Sequence, residues 1–276
     1  MAPEIPLSHL VLAAASVTDD LGFVAMADVS SALAELDEVE SRLIGGHMVT
    51  LLVQRWGLGR ELYRETQDTD LGIPPIAVRD GRLIQLLKDR DYIRTSGNTY
   101  AKKVDDIPVA VEGADERSAS IDLLVPAYTS RARDNVEVSA DLTTTEVPGL
   151  AEALMRQGVT VSPELLRLNG NTITAELTLP DESSAVVLKA LAWQQRAASK
   201  DAVDLWRTLE VAAVAGVSIG AFAGDSGKRA EEIARQSFQR VNDGAMKAIT
   251  SAQRLGEDAA QQRHTRIQAL LQRVFG

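Results

Sequence analysis

The spacing of apolar residues predicts two helices and then a strand at the start of the chain. Apolar positions at helical spacing, such as Leu33 and Leu36, predict that residues 1–40 are helical, with the helix ending near Gly45. The apolar stretch 47–56 predicts a second helix. Residues 65–73 instead alternate polar and apolar positions and stop at a Pro-Pro pair, which is the pattern of a strand.

The next segments predict a small mixed sheet that carries helices. Residues 80–90 have the pattern of a short helix, and 92–104 that of a β-hairpin, because its central Gly and Asn tolerate the positive φ of tight turns. Further strands are predicted at 107–111, at 118–125 and, in short pieces around a helix at 148–157, between 136 and 179.

After Pro180 nearly every segment has a helical pattern, apart from residues 216–227. We therefore predict an α+β fold, with a domain of residues 1–180 built on a mixed sheet and a helical C-terminal domain of residues 181–276.

Composition narrows the function classes. The chain has 45% hydrophobic and 25% charged residues, as in folded globular proteins. It has no cysteine, and its three histidines, His9, His47 and His264, are too scattered to suggest a zinc motif, so any metal would be held by oxygen ligands. The apolar segment 10–17 is short and lacks a basic flank, which predicts neither a signal peptide nor a membrane span, and hence a cytoplasmic protein without a membrane partner.

Charge is unevenly distributed along the chain. The net charge of −10 argues against a protein that coats nucleic acid over its whole surface. Residues 228–276, however, contain nine Lys/Arg and five Asp/Glu, a local excess of +4. This C-terminal segment is either the solvated face of a helical bundle or a surface for a polyanion.

Three aspartates on predicted strands are the first candidate site. Asp68 and Asp70 alternate along one strand, so both carboxylates are expected on the same face of the sheet. Asp122 interrupts an apolar strand and needs a compensating group. Neighbouring carboxylates repel unless a cation lies between them, and Mg²⁺ prefers oxygen ligands. The three acids either hold two metal ions for phosphoryl transfer, or are an exposed strand end and a satisfied buried acid.

A second charged group lies on a predicted helix over 189–204. At about 100° per residue, five side chains would share one face of that helix. They are Lys189, Trp193, Arg196, Lys200 and Asp204. This face is either part of a site or a solvent-exposed side on which Lys200 and Asp204 pair.

Four motifs occur in order along the chain. They are Gly45-Gly46-His47, Arg64-x-Thr66-x-Asp68-x-Asp70-Leu71-Gly72, a lysine motif at 187–192 around Lys189, and Lys-Asp-x-x-Asp-Leu at 200–205. Together they resemble the motifs of the AbiEii/MenT group of bacterial toxins, which belong to the polymerase-β-like nucleotidyltransferases. The resemblance spans Leu43 to about Leu209 and does not include the N-terminal helix or the basic tail.

The resemblance implies roles for individual residues. Asp68, Asp70 and Asp122 would bind two Mg²⁺ ions, and Asp122 would also be a candidate general base. Lys189 would neutralise the triphosphate, and Asp204 would position the nucleotide or the attacking group. The remaining nucleotide-binding candidates are Gly45, Gly46, Arg64, Thr66 and Lys200. For His47 the resemblance implies no role, and the sequence favours a position on the helix surface.

The resemblance also implies a reaction and partners. A polymerase-β-like lobe would transfer a nucleotide from a nucleoside triphosphate to an acceptor, with release of pyrophosphate. Related toxins act in toxin–antitoxin or phage-defence systems, which predicts a cognate antitoxin protein as a partner and the 3′ end of tRNA as the favoured acceptor. A protein or small-molecule acceptor is an alternative, and a nucleotide-binding module without catalysis is a different class.

Overall fold

The computed structural model describes residues 9–36, 39–59, 62–108, 117–128, 132–139, 142–242 and 244–276. The fold is α+β with mixed sheets, which confirms the predicted class. The described chain divides into two compact units. The α/β unit contains the described residues between 9 and 51 and between 63 and 180, and the helical unit contains 52–59, Leu62 and 181–276. Residues 52–59 and Leu62, which the sequence predicts in the first domain, therefore belong to the helical unit.

The α/β unit combines short strands with five helices. The helices are α1 (Val17–Ala34), α2 (Gly45–Arg55), whose last residues belong to the helical unit, α3 (Pro75–Arg79), α4 (Arg82–Lys88) and α5 (Leu150–Met155). The strands are β1 (Val11–Ala13), β2 (Arg42–Leu43), β3 (Thr69–Gly72), β4 (Ile93–Arg94), β5 (Thr99–Lys103), β6 (Ser118–Pro126), β7 (Val136–Ser139), β8 (Leu142–Thr144), β9 (Glu146–Val147), β10 (Val159–Val161), β11 (Glu164–Leu166), β12 (Thr172–Thr174) and β13 (Leu177–Leu179).

The main sheet has the strand order β2-β3-β6-β5-β4, and β9 pairs with β6. Strands β3 and β6 are parallel, whereas β2, β5 and β4 pair antiparallel with their neighbours, so the sheet is mixed. Leu71, Ile121 and Leu123 are buried on one face of the β3–β6 pair. Because side chains alternate along a strand, the residues between them point to the opposite face, where Asp70 and Asp122 are half-buried.

Ion pairs along helix α1 fix it to the rest of the α/β unit. Arg167 binds Asp20 at 2.7 Å, and Asp20 is fully buried. Further along the helix, Lys102 binds Asp28 at 2.6 Å. These contacts hold α1 in place beside β6 and α2.

Several predicted elements are confirmed and others were wrong. The hairpin of β4 and β5 and the long strand β6 agree with the sequence analysis. The N-terminal helix does not span residues 1–40: its N-cap is Ser16, it ends at Ala34, and residues 11–13 instead pair with β11. The strand predicted at 65–73 is limited to β3, so Asp68 precedes it. The predicted strand 107–111 lies mostly outside the described residues.

The helical unit is built from helices that follow one another along the chain. They are α6 (Glu182–Arg196), α7 (Ser199–Ala215), α8 (Asp225–Ser237), α9 (Gly244–Gln253) and α10 (Glu257–Phe275). Trp206, Phe238 and Ile267 are buried in its core. Within the described ranges, no helix combines the length and the apolar character that crossing a membrane requires.

The continuous helix predicted over 189–204 was wrong. Helix α6 ends at Arg196, its C-cap Ala197 has a left-handed conformation with φ of 50°, and α7 begins at Ser199. The Arg196 guanidinium binds the Asp201 carboxylate at 2.7 Å across this turn. The two helices therefore form an antiparallel hairpin, which separates the five residues expected on one helix face.

Candidate functional site

The first element of the candidate site is the tight turn that begins α2. Gly45 has φ of +70°, a conformation that glycine adopts without strain, and the preceding Ile44 N–H donates to the Asp70 carbonyl at 2.9 Å. A Cβ atom at Gly45 would lie 1.7 Å from Asp70 Oδ2. Only a glycine therefore lets the backbone of this turn approach the Asp70 carboxylate.

The second glycine of the turn allows a similar approach by two other motif residues. A Cβ atom at Gly46 would lie 2.4 Å from Arg64 Nη2 and 2.5 Å from Thr66 Oγ1. Thr66 Oγ1 is buried and makes no hydrogen bond within the part of the chain that the structure describes. The first two sequence motifs thus meet in space: the Gly-Gly turn lies against Arg64, Thr66 and Asp70.

Asp70 and Asp122 form one rung of the sheet. They are register partners on the parallel strands β3 and β6, so both side chains lie on the same face, with backbones about 4.8 Å apart. Thr99 of β5 is the next residue along this rung, and its hydroxyl donates to Asp122 Oδ1 at 2.6 Å. Asp122 interrupts an apolar strand and therefore needs a compensating group, and the Thr99 hydroxyl is one such group.

Asp68 lies beside the rung, just before β3 begins. Its side chain is exposed, and Asp68 Oδ1 accepts a hydrogen bond from the Ser120 hydroxyl at 2.7 Å. Ser120 precedes Asp122 by two residues on β6 and shares its face. Asp68 therefore contacts the strand that carries Asp122, but it is not itself on a strand.

The donor chemistry of this face suits a hard divalent cation. Asp70 and Asp122 present carboxylate oxygens from one rung, and the glycine turn leaves space that any larger residue would fill. Among the described residues, no three acidic or imidazole side chains are close enough together to hold one metal ion. Asp70 and Asp122 fit a metal as a pair, and Asp68 as a third ligand stays a prediction.

His47, which follows the glycine turn, is buried rather than on the helix surface as the sequence favoured. The pKa of the His47 imidazole is lowered from 6.5 to about 4, mainly because the ring is buried. The Arg64 charge adds to this lowering, whereas a hydrogen bond with the Gln67 backbone and the charge of Asp68 oppose it. The imidazole is therefore neutral at physiological pH. No sequence signal indicated this burial, because it depends on packing against α1.

The third and fourth motifs meet within the helical unit. Lys189 Nζ on α6 binds Asp204 Oδ2 on α7 at 2.8 Å, and Arg207 Nη1 binds Asp204 Oδ1 at 3.0 Å. All three side chains are buried. The alternative pairing of Lys200 with Asp204 was wrong, since Lys200 is exposed. Sequence reasoning missed Arg207, which lies one turn after Asp204.

The aspartates and the Lys189–Asp204 pair belong to different units of the chain. That Lys189 and Asp204 act together with the three aspartates, as the resemblance implies, stays a prediction.

The basic C-terminal segment forms helices α8 to α10 of the helical unit. On α10, Arg266 Nη2 binds Glu210 of α7 at 2.6 Å, and the Arg263 guanidinium lies 3.7 Å from the centre of the Trp206 ring. These contacts support the interpretation of Arg263 and Arg266 as parts of a helical bundle.

A scan with protein-family models and a search of curated protein sequences both find no match to this chain.

Substitutions in the buried Lys189–Asp204–Arg207 group should lower the free energy of unfolding by unequal amounts. Asp204→Asn removes the carboxylate that binds two buried cations and should lower the free energy of unfolding by about 3–5 kcal/mol. Lys189→Met leaves Asp204 its ion pair with Arg207 and should cost clearly less. Urea unfolding measures both, with Glu232→Gln, which removes an exposed ion pair to Arg229, as a control that should change stability by less than about 1 kcal/mol. An equal or larger loss for Lys189→Met would contradict this account.

The lowered pKa of His47 predicts that the protein loses stability in acid. Because the pKa of His47 is about 4 in the folded protein and 6.5 in the unfolded chain, the unfolded chain binds more protons between these pH values. Stability contributed by the neutral imidazole is therefore complete above pH 6.5 and is lost as the pH falls towards 4, by about 3 kcal/mol in total. His47→Asn should remove this part of the pH dependence of urea unfolding. Identical pH profiles for the two proteins would show that His47 does not titrate in this way.

Proposed function

We propose that the chain is a metal-dependent nucleotidyltransferase that transfers a nucleotide from a nucleoside triphosphate to an acceptor hydroxyl. One observation carries the proposal: the Gly45-Gly46 turn lies against Asp70, which shares a rung with Asp122. A helix N-terminus without side chains favours phosphate, and carboxylates on one face favour Mg²⁺. The resemblance to AbiEii/MenT toxins and to a polymerase-β-like lobe implies that the reaction at this site is nucleotide transfer.

Residues of the α/β unit would bind both the metal and the triphosphate. Asp70 and Asp122 would hold Mg²⁺, with Asp68 as the expected third ligand for two ions. When bound, Mg²⁺ supplies electrostatic stabilisation of the charge that develops on the phosphate oxygens. Gly46 lets a triphosphate approach Arg64 and Thr66, and the unpaired Thr66 hydroxyl would gain a phosphate oxygen as its partner.

The chemical step would be an in-line displacement at the α-phosphorus. The acceptor oxygen forms a bond to phosphorus, the bond to the bridging oxygen breaks, and pyrophosphate leaves with that electron pair. The acceptor proton would pass to the Asp122 carboxylate, which the Thr99 hydroxyl holds in place through Oδ1. Positioning and electrostatics would thus supply most of the rate increase.

Lys189 would neutralise the triphosphate by changing its ion-pair partner. Its ammonium group binds Asp204, so phosphate binding requires Lys189 to leave that carboxylate. Arg207 would then keep Asp204 compensated, which lowers the cost of the exchange. Lys200, which is exposed, is a further cation that would contact the nucleotide.

The partners belong to the same proposal. By its resemblance to the toxins, the protein would act in the cytoplasm on the 3′ end of tRNA and would be inhibited by a cognate antitoxin. An RNA acceptor would draw on the excess positive charge of residues 228–276, apart from Arg263 and Arg266, which make contacts within the helical unit.

Labelled nucleoside triphosphates test this proposal. Incubation of the protein with each triphosphate, total RNA and Mg²⁺ should label an RNA, and EDTA should abolish the labelling. Asp70→Asn should lower the rate at least about 100-fold, because a metal ligand contributes several kcal/mol to the transition state. Asp105→Asn, which changes an aspartate with an exposed side chain, is the matched control and should keep the wild-type rate.

Wild-type transfer by Asp70→Asn would contradict the metal assignment. Labelled protein in place of RNA would point to the alternative acceptor. Triphosphate binding without transfer to any acceptor would favour a nucleotide-binding module.

A further inference from the structure

His47 is enclosed between α1 and the loop that leads to β3. A Cβ atom at Gly22 of α1 would lie 2.5 Å from His47 Nε2 and 2.7 Å from the Thr66 carbonyl oxygen. Gly22 therefore allows α1 to lie directly against both the imidazole and the loop. His47 itself is only 3% exposed, so its ring fills this space and excludes solvent.

The imidazole forms a hydrogen bond to the loop, at the Gln67 backbone. His47 bonds to the Gln67 backbone in a way that favours the protonated ring, so the ring donates to the Gln67 carbonyl. His47 Nε2 has no hydrogen-bond partner among the described residues, which identifies Nδ1 as the donor. Gln67 is also held through its side chain, whose Nε2 donates to the Ser118 carbonyl of β6 at 3.1 Å.

Asp68 depends on such anchors because the β-ladder does not hold it. The pairing of β3 with β6 begins at Thr69, one residue later, so the backbone of Asp68 lies outside the registered strand. The Ser120 hydroxyl binds its side chain, and the His47 bond fixes the carbonyl of the residue before it. Without the second anchor, rotation about the Gln67–Asp68 backbone would move the carboxylate away from the rung of Asp70 and Asp122.

We propose that His47 is a positioning residue that fixes the loop carrying Asp68, and thereby the geometry of the metal-binding face. This inference rests on the proposed function. His47 also follows Gly46 directly, so one turn of α2 carries both the surface for phosphate and the bond to Gln67. A shift of the loop is therefore transmitted to the glycine turn, and the imidazole couples metal geometry to triphosphate approach.

Two amide substitutions separate the hydrogen bond from the volume of the ring. In His47→Asn the side-chain NH₂ takes the place of Nδ1 and retains a donor for the Gln67 carbonyl. In His47→Gln the amide reaches the position of Nε2 and loses that donor, at similar size and polarity. Comparison of the two variants therefore reports on the bond to Gln67.

The measurement is Mn²⁺ affinity by calorimetry, together with the Mg²⁺ dependence of nucleotide transfer. His47→Gln should weaken Mn²⁺ binding about 10–100-fold, as loss of an outer-shell contact does at metal sites, and should raise the Mg²⁺ concentration for half-maximal rate. Its rate at saturating Mg²⁺ should fall much less. His47→Asn should stay within about threefold of the wild-type affinity, since it keeps the anchor.

A glycine variant tests the same contact from α1. Gly22→Ala places a methyl group against the ring and the loop, and should weaken Mn²⁺ binding as His47→Gln does. Gly224→Ala is its matched control: a Cβ there would meet no atom of the described ranges within 4 Å, and Mn²⁺ affinity should not change.

Wild-type Mn²⁺ affinity in His47→Gln, or equal losses in both amide variants, would overturn the positioning role while leaving the proposed function intact. A wild-type protein that binds no Mn²⁺ and transfers no nucleotide would overturn both.

Discussion

The candidate site depends on one steric constraint, the absence of a side chain where α2 begins. The backbone of Gly45 lies so close to Asp70 that a Cβ atom there would overlap the carboxylate. The same turn brings Gly46 against Arg64 and Thr66, and places His47 in the space that Gly22 leaves open. A charged sheet face, a helix N-terminus and a loop thus come together because two adjacent residues lack side chains.

The two faces of the β3–β6 pair explain how such a site is tolerated. Leu71 and Ile121 are buried on one face and stabilise the strands. The opposite face carries Asp70 and Asp122, whose like charges destabilise the fold unless hydroxyl groups or a cation compensate them. Thr99 supplies a hydroxyl to Asp122, and a metal bound at the proposed site would add to this compensation. The charge repulsion is therefore consistent with a face built for a cation.

Local pattern predicted part of this arrangement. The apolar run around Asp122 identified β6, and the alternation around Asp70 identified β3, because strand periodicity is a local property. The break at Ala197 was not predictable, since no Gly or Pro marks it and an ion pair from α6 to α7 fixes the turn. The burial of His47 was likewise hidden, because it depends on Gly22, which is distant in sequence. Sequence order also gave no sign that Lys189 and Asp204 would neutralise each other.

The central claim is that Asp70 and Asp122 jointly hold a divalent cation beside the glycine turn. Anomalous diffraction at the manganese edge tests it most directly, with crystals grown in Mn²⁺ and a non-hydrolysable nucleoside triphosphate. The account predicts a manganese peak within ligand distance of both carboxylates, with the phosphates against Gly46. Manganese and nucleotide bound elsewhere, with no peak at this rung in saturating Mn²⁺, would contradict it.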